Sequence, residues 1–304
     1  MSAPVRLAIT LGDPRGIGPE IAAAVLAAGV DAEVTVIGAR EQVADLPAAR
    51  RETVGAWRES EHAARPRAVD AGLVAGRAVE RAVQLAMAGE VDAVVTAPIE
   101  KHAVHLAGFP FPGHTEWLAH LAGAPEVAMM LASDRLRVVL VTTHMPLRDV
   151  PLVLTTDKIV RTGELTRRAL TGWFGIAAPR LALCALNPHA GEQGLFGDEE
   201  QRVLAPAAEQ LGAAGPLPAD TVFVRAMRGD FDAVLAPYHD VGMTAIKVAS
   251  FGEGVNVTLG LPIVRTSPDH GTAIDIAGTG RANPSSMRAA VTLAIRLASR
   301  SRTL

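Results

Sequence analysis

The sequence predicts an α/β fold with a largely parallel sheet, and three observations carry that expectation. Short Val/Ile/Leu-rich runs alternate with longer Ala/Leu/Arg/Glu segments along the 304 residues. The short runs are almost continuously apolar rather than alternating, the pattern of strands covered on both faces. Several of them end abruptly in polar clusters, and in open parallel sheets ligands bind outside the carboxyl ends of the strands.

Taken in order, the expected strands are Val5–Thr10, Glu33–Gly38, Ala93–Ala97, Val138–Thr142, Arg180–Ala185 and Ala233–Ala236. The expected helices are Pro19–Ala28, Ala71–Ala88, Thr115–Ala122, Asp157–Gly172, Glu199–Leu211 and Pro284–Ser299. LGDPRGIGPEIAAA (11–24) follows a strand and opens a helix, with Pro19 suited to its first turn. Its spacing is G-x-x-x-G-x-G, not the dinucleotide fingerprint G-x-G-x-x-G. The polar stretch 44–70 reads as surface loops and short connections. The segment 247–273 reads as unlike a core element, with Gly252, Gly254, Gly260 and Gly271 among Lys247, Asn256, Arg265 and His270. VDAVVTAPIEK (91–101) and FDAVLAPYHDV (231–241) echo one another as two strands ending alike.

Composition excludes several classes. The chain is 49% hydrophobic and 20% charged with a formal charge of −3, which is globular and long enough for a large core. No Lys/Arg-rich block marks a nucleic-acid or membrane-surface partner. No apolar run reaches a membrane span and MSAPVRLAIT carries no secretory h-region, so a cytoplasmic protein is expected. Cys184 is the only cysteine, which rules out an intramolecular disulfide and a multi-cysteine zinc site. Neither a Walker A motif nor a G-x-S-x-G elbow is present.

The polar strand ends carry the candidate chemistry. His144 follows TT, His189 sits in NPHAGE and His239 sits in YHD, each just past an expected strand. Imidazole is the commonest protein metal ligand, and three ligands with an open position is the catalytic arrangement. His114 and Thr115, in PFPGHTEW, stand where Thr115 can cap a helix beginning at Glu116, a place suited to binding an anion such as phosphate. Lys247 and Arg265 offer positive charge to an anionic substrate. His62, His102, His105 and His120 read as surface or packing residues.

ITLGDPRGIGPEI, TAPIEK, PFPGHTEWLA, TTHMPL, LNPHAGEQGLFGDEE, PLPADTVF, YHDVGM and FGEGVNVTLGLPIVRTSPDHGTAIDIAG run in the order of the 4-hydroxythreonine-4-phosphate dehydrogenase (PdxA) family, which the chain resembles over nearly its whole length. The resemblance implies a two-domain fold like that of isocitrate and isopropylmalate dehydrogenases, with largely parallel sheets and a cleft between domains. The expected boundaries are 1–112 plus 276–304 for the first domain and 113–275 for the second. It implies a homodimer, a divalent metal (zinc, magnesium, cobalt or similar) and NAD or NADP, whose site is not assigned. The implied metal ligands fall on His144, His189 and His239, with His239 reaching the partner's site. The implied substrate contacts fall on His114, Thr115, Lys247, Asn256 and Arg265. Asp220, Asp240 and Lys247 are the candidate acid/base residues.

The implied reaction is metal-dependent oxidation of 4-phosphooxy-L-threonine to 2-amino-3-oxo-4-(phosphooxy)butanoate, which decarboxylates to 3-amino-2-oxopropyl phosphate in pyridoxal 5′-phosphate biosynthesis. The chain departs from the family at Val241, where glutamine is usual after YHD, a change that would alter the surroundings of His239. The alternatives are a paralogue oxidising D-threonate or D-erythronate 4-phosphate and a non-catalytic phosphometabolite-binding protein. The aromatic-diol branch is disfavoured because GHTE and GVNVTLGLP are intact.

Overall fold

Two α/β units divide the chain in the computed structural model, which describes residues 3–57, 67–111 and 113–302. Unit 1 comprises Met1–Pro125 with Leu261–Thr303, and unit 2 is Glu126–Gly260. Unit 1 begins with β1 (Arg6–Thr10), α1 (Gly18–Ala27), β2 (Glu33–Ala39), the single turn α2 (Arg40–Val43), β3 (Arg50–Gly55), α3 (Arg67–Met87), β4 (Ala93–Thr96), α4 (Lys101–Leu106) and α5 (His114–Ala122). Unit 2 runs β5 (Ala128–Ala132), β6 (Arg137–Leu140), α6 (Val150–Val153), α7 (Thr156–Gly172), β7 (Leu181–Cys184), α8 (Ala205–Leu211), β8 (Ala214–Leu217), α9 (Ala219–Met227), β9 (Ala233–Ala236), α10 (His239–Ser250) and β10 (Val255–Leu259). The chain returns to unit 1 with β11 (Val264–Pro268) and α11 (Ser285–Ser301).

In unit 1 the strand order is β3-β2-β1-β4-β11, all parallel. The order reverses direction between β1 and β4, which makes their carboxyl ends a topological switch point. In unit 2 the order is β10-β5-β6-β9-β7-β8; β6, β9, β7 and β8 run parallel, while β5 pairs antiparallel with both β10 and β6. The central strands are apolar on both faces because helices cover both sides. The core of unit 2 gathers Val138, Leu140, Ala182, Val234 and Ala236 with Val222 and Phe223 of α9 and Ile246 of α10. In unit 1 the 3.6-residue repeat of Val74, Ala75, Ala78, Val79, Ala82 and Leu85 buries one face of α3.

Three expectations are corrected. The stretch 44–70 contains β3, which pairs with β2 as an edge strand; its sequence RRETVG is polar because an edge strand is only half covered. The segment 247–273 holds two strands, β10 and β11, with all residues of β11 buried. Its glycines lie outside these strands, so they punctuate the strands rather than dissolve them. The unit boundary falls later on the outward pass and earlier on the return than expected. The cause is that α5 packs on α3 and β11 pairs with β4, which draws His114, Thr115 and Arg265 into unit 1. The expected surface position of His62 lies outside the described residues.

Candidate functional site

Unit 1 collects its polar groups beyond the ends of β1 and β4. Gly12, at φ +72°, lets β1 exit against β4: a Cβ there would lie 2.2 Å from the Pro98 carbonyl oxygen. That approach buries Asp13 completely, and its carboxylate accepts from Arg15 at 2.7 and 3.0 Å. Arg15 also reaches Glu100 at 3.5 Å, and Glu100 caps α4 by accepting from the backbone N–H groups of His102 and Ala103 at 3.0 and 2.7 Å. This network fixes the start of α4, whose first residue is Lys101.

His114 opens α5, with Gly113 as the N-cap in extended backbone. The cap expected at Thr115 is therefore corrected: no side chain caps α5, and its first-turn N–H groups are left for another acceptor. The Nε2 of His114 is buried and has no hydrogen-bond partner among the described residues. Burial, then the positive charges of Arg265 and Lys101, hold the imidazole well below its ordinary titration range, so it is neutral at pH 7. Arg265, on β11, is 1% exposed and donates to the Thr96 hydroxyl at 2.6 Å. Burial pulls its guanidinium down to about 9. A buried cation, a buried imidazole nitrogen and a helix N-terminus form a constellation that suits an anion.

Unit 2 gathers its polar groups beyond β6 and β9, which lie side by side. The Val141 N–H donates to the Ala236 carbonyl at 2.9 Å, and the buried Thr142 hydroxyl donates to the Pro237 carbonyl at 2.7 Å. These bonds tie the two strand ends together and bring His144 against His239, with ring centroids 5.3 Å apart. His239 Nδ1 lies 2.7 Å from Asp240 Oδ1, which leaves its Nε2 available. Two imidazoles bound at about 2.0–2.1 Å to one tetrahedral ion have ring centres roughly 5 Å apart, and a carboxylate on the second nitrogen is the usual support. The pair therefore fits two positions of a divalent metal. Among the described residues no third His, Cys, Asp or Glu completes a cluster around it within the chain.

His189 lies beyond β7 in a different backbone state. His189, Ala190, Gly191, Glu192 and Gln193 all have positive φ, between 41° and 80°. Left-handed backbone costs about 1–2 kcal/mol for each non-glycine residue, so the surroundings must impose it. Sequence reasoning did not foresee this run, although NPHAGEQG carries its one readable signal, a proline just ahead of two glycines.

The other candidates divide between the units. Lys247 is exposed in the last turn of α10. Asn256, on β10, has a buried Oδ1 with no hydrogen-bond partner among the described residues. Asp220 is exposed in the first turn of α9, and Asp240 is accounted for by His239. Cys184 is buried, and its thiol is pushed up to about 12 by burial and by Glu200, which makes it unreactive. Val241, half-buried and two residues after His239 on α10, packs against the unit 2 core.

These α/β units, with imidazoles, carboxylates and a buried cation beyond the ends of their parallel strands, define a chain of the α/β class with ligand-binding strand ends. A solved β-decarboxylating dehydrogenase from Thermococcus kodakarensis shares the fold, with a TM-score of 0.51 at 17% identity over 96% of this chain and 83% of that one. The family is closer than the class. The family model of pyridoxal phosphate biosynthetic protein PdxA matches residues 15–294, and the chain belongs to that family. A 4-hydroxythreonine-4-phosphate dehydrogenase of Geobacter metallireducens is 45% identical over 96% of this chain and 95% of its own length. The solved 4-hydroxythreonine-4-phosphate dehydrogenase of Klebsiella pneumoniae superimposes with a TM-score of 0.85 at 39% identity, over 98% of this chain and 99% of that one. No helix among the described residues is long and apolar enough to cross a membrane.

Proposed function

We propose that the chain is a metal-dependent, NAD- or NADP-linked oxidoreductase that converts 4-phosphooxy-L-threonine to 2-amino-3-oxo-4-(phosphooxy)butanoate, which loses CO₂ to give 3-amino-2-oxopropyl phosphate. The observation that carries this reading is the His144–His239 pair with Asp240 on Nδ1, in a chain whose full-length relatives bear that activity in their names. When bound, the divalent ion supplies Lewis acidity at the substrate hydroxyl and the nicotinamide accepts the hydride. His144, His189 and His239 are the proposed donors, with His189 and His239 coming from different copies of a homodimer. Exposed apolar side chains follow each histidine and favour such an assembly: Leu147 and Leu152 after His144, Leu195 and Phe196 after His189, Val248 and Phe251 after His239.

The chain's own groups divide the remaining work. Arg265, His114 and Thr115 hold the phosphate, because a dianion restores to the buried guanidinium and the α5 N-terminus what burial removes. Lys247 and Asn256 hold the amino-acid end. Asp240 orients His239 by holding its Nδ1, so that Nε2 is the nitrogen left to act as the donor. Oxidation moves a hydride from the carbinol carbon and releases the hydroxyl proton. Decarboxylation then leaves a carbon that must take up a proton, for which Lys247 is the proposed donor and Asp220 a second candidate. The amino-acid substrate is preferred to a sugar-acid phosphate because the full-length relatives are named 4-hydroxythreonine-4-phosphate dehydrogenases.

The test is nucleotide reduction by the metal-reconstituted protein, with 4-phosphooxy-L-threonine set against D-threonate and D-erythronate 4-phosphate, each with NAD and NADP. Turnover is expected on the amino acid. Turnover on the sugar acids alone would replace the substrate and keep the site.

A further inference from the structure

We propose that Glu200 is a positioning residue that sets the direction of His189; this rests on the metal reading above. Glu200 is 3% exposed, in the π-helical turn Glu200–Leu204 that leads into α8. Its Oε1 accepts the backbone N–H groups of Leu186 and Asn187, at 2.9 and 2.7 Å, where the chain leaves β7. Its Oε2 accepts the Asn187 side-chain amide at 2.9 Å. That amide donates to Glu199 as well, at 2.8 Å, so both residues of the acidic pair grip the residue two positions before His189.

The same carboxylate sits against the middle of the left-handed run. A Cβ on Gly191 would come within 2.9 Å of Glu200 Oε2, and Gly191 is at φ +80°. Glu200 thus touches the entrance to the run at Asn187 and closes over its centre at Gly191. His189 lies between these two contacts, with φ 52° and ψ 30°. The Cα–Cβ direction of a residue follows from its backbone angles, so whatever holds the run left-handed also aims the imidazole. A carboxylate with three N–H donors converging on it is suited to that task, since hydrogen bonds to a charged acceptor are the strong ones. Supports of this kind behind metal ligands typically change metal affinity 10–100-fold when removed.

The experiment measures Co²⁺ affinity by chelator competition, the visible Co²⁺ spectrum and metal-free thermal unfolding, for the full chain and for Glu200→Gln, Glu200→Ala, Gly191→Ala and His189→Ala. In Glu200→Gln the amide oxygen can still accept both backbone N–H groups, but an NH₂ group turns toward the Asn187 amide. Glu200→Gln is expected to fold and to bind Co²⁺ about tenfold more weakly, with an altered spectrum, and Glu200→Ala about 100-fold more weakly. Gly191→Ala leaves the carboxylate in place but displaces the run, and is expected to resemble Glu200→Gln. If Glu200→Ala does not fold, the other two variants decide. Wild-type affinity and spectrum in both Glu200→Gln and Gly191→Ala, with metal lost in His189→Ala, would overturn the role of Glu200 alone. Unchanged affinity in His189→Ala would overturn the ligand assignment beneath it as well.

Discussion

Replacing Arg265 with methionine should make the ligand-free protein more stable and abolish its affinity for phosphate. The guanidinium is 1% exposed and burial draws it to about 9. At about 1.4 kcal/mol for each tenfold change in proton affinity, keeping it charged in that setting opposes folding by about 4–5 kcal/mol. Methionine fills much of the same space with an apolar, flexible chain. It removes that cost but gives up the guanidinium's own interactions, of which the 2.6 Å bond to the Thr96 hydroxyl alone is a loss of about 1–2 kcal/mol. Against the Thr96 bond the balance is a gain of about 2–4 kcal/mol, in the range found when buried charges are exchanged for apolar groups. For a chain of 304 residues that corresponds to a Tm higher by about 3–6 °C. The assay is thermal unfolding in phosphate-free buffer, then with rising inorganic phosphate. The wild-type Tm should climb with phosphate and that of Arg265→Met should not. A variant destabilised by more than about 2 kcal/mol without phosphate would show that Arg265 supports the fold, and the reasoning would fail.

Mixing His189→Ala with His239→Ala, each inactive alone, should restore about a quarter of wild-type activity after subunit exchange, because half of the dimers are mixed and each mixed dimer regains one of its two sites; no recovery would place both ligands on one copy. Stability should fall as pH drops below about 6.5, by up to about 1.4 kcal/mol per pH unit, because the unfolded chain protonates His114 while the folded chain, where burial keeps the imidazole neutral, does not. His114→Gln should flatten that slope in Tm measured from about pH 8 to pH 5, and an unchanged slope would exonerate His114. Asp240→Asn should weaken Co²⁺ binding 10–100-fold at unchanged metal-free Tm, since it disturbs only the 2.7 Å contact to His239 Nδ1; equal affinity would leave Asp240 without that role.

What was legible in the sequence follows the strength of local signals. Strands β1, β2, β4, β6, β7 and β9 are runs of apolar residues buried from both sides, and their bounds come within a residue or two of those expected. The edge strand β3 is polar, and β10 and β11 are flanked by glycines, so periodicity passed over them. His144 and His239 were legible as two of three strand-end histidines, and the two lie together because their parallel strands are neighbours and end at the same level. His189 was legible as a residue but not as a geometry, since positive φ at alanine, glutamate and glutamine is imposed by tertiary contacts that no spacing encodes. Glu200 escaped for a related reason. In GDEEQR it looks like one more surface acid, and only the return of the chain to the exit of β7 buries it.

The costly features of the molecule are not scattered. In unit 1 the cost is a buried guanidinium beside a buried imidazole nitrogen; in unit 2 it is a run of left-handed residues and a buried carboxylate that faces them. Each lies at, or next to, a residue that family resemblance assigns to substrate or metal. A fold selected for stability alone would favour an apolar side chain at Arg265 and a relaxed backbone over 189–193, since the buried charge and the left-handed run both oppose folding. Local rules that fail at binding positions, while they hold through the surrounding strands and helices, are expected where the missing stabilisation comes from a ligand. The same reasoning gives a relation that can be checked across variants. Changes that stabilise the ligand-free chain at Arg265 or His114 should reduce phosphate affinity, whereas changes of equal size in the core around Val138 and Ile246 should shift stability and leave affinity alone. Covariation of the two quantities at core positions would dissolve the distinction between the site and its scaffold.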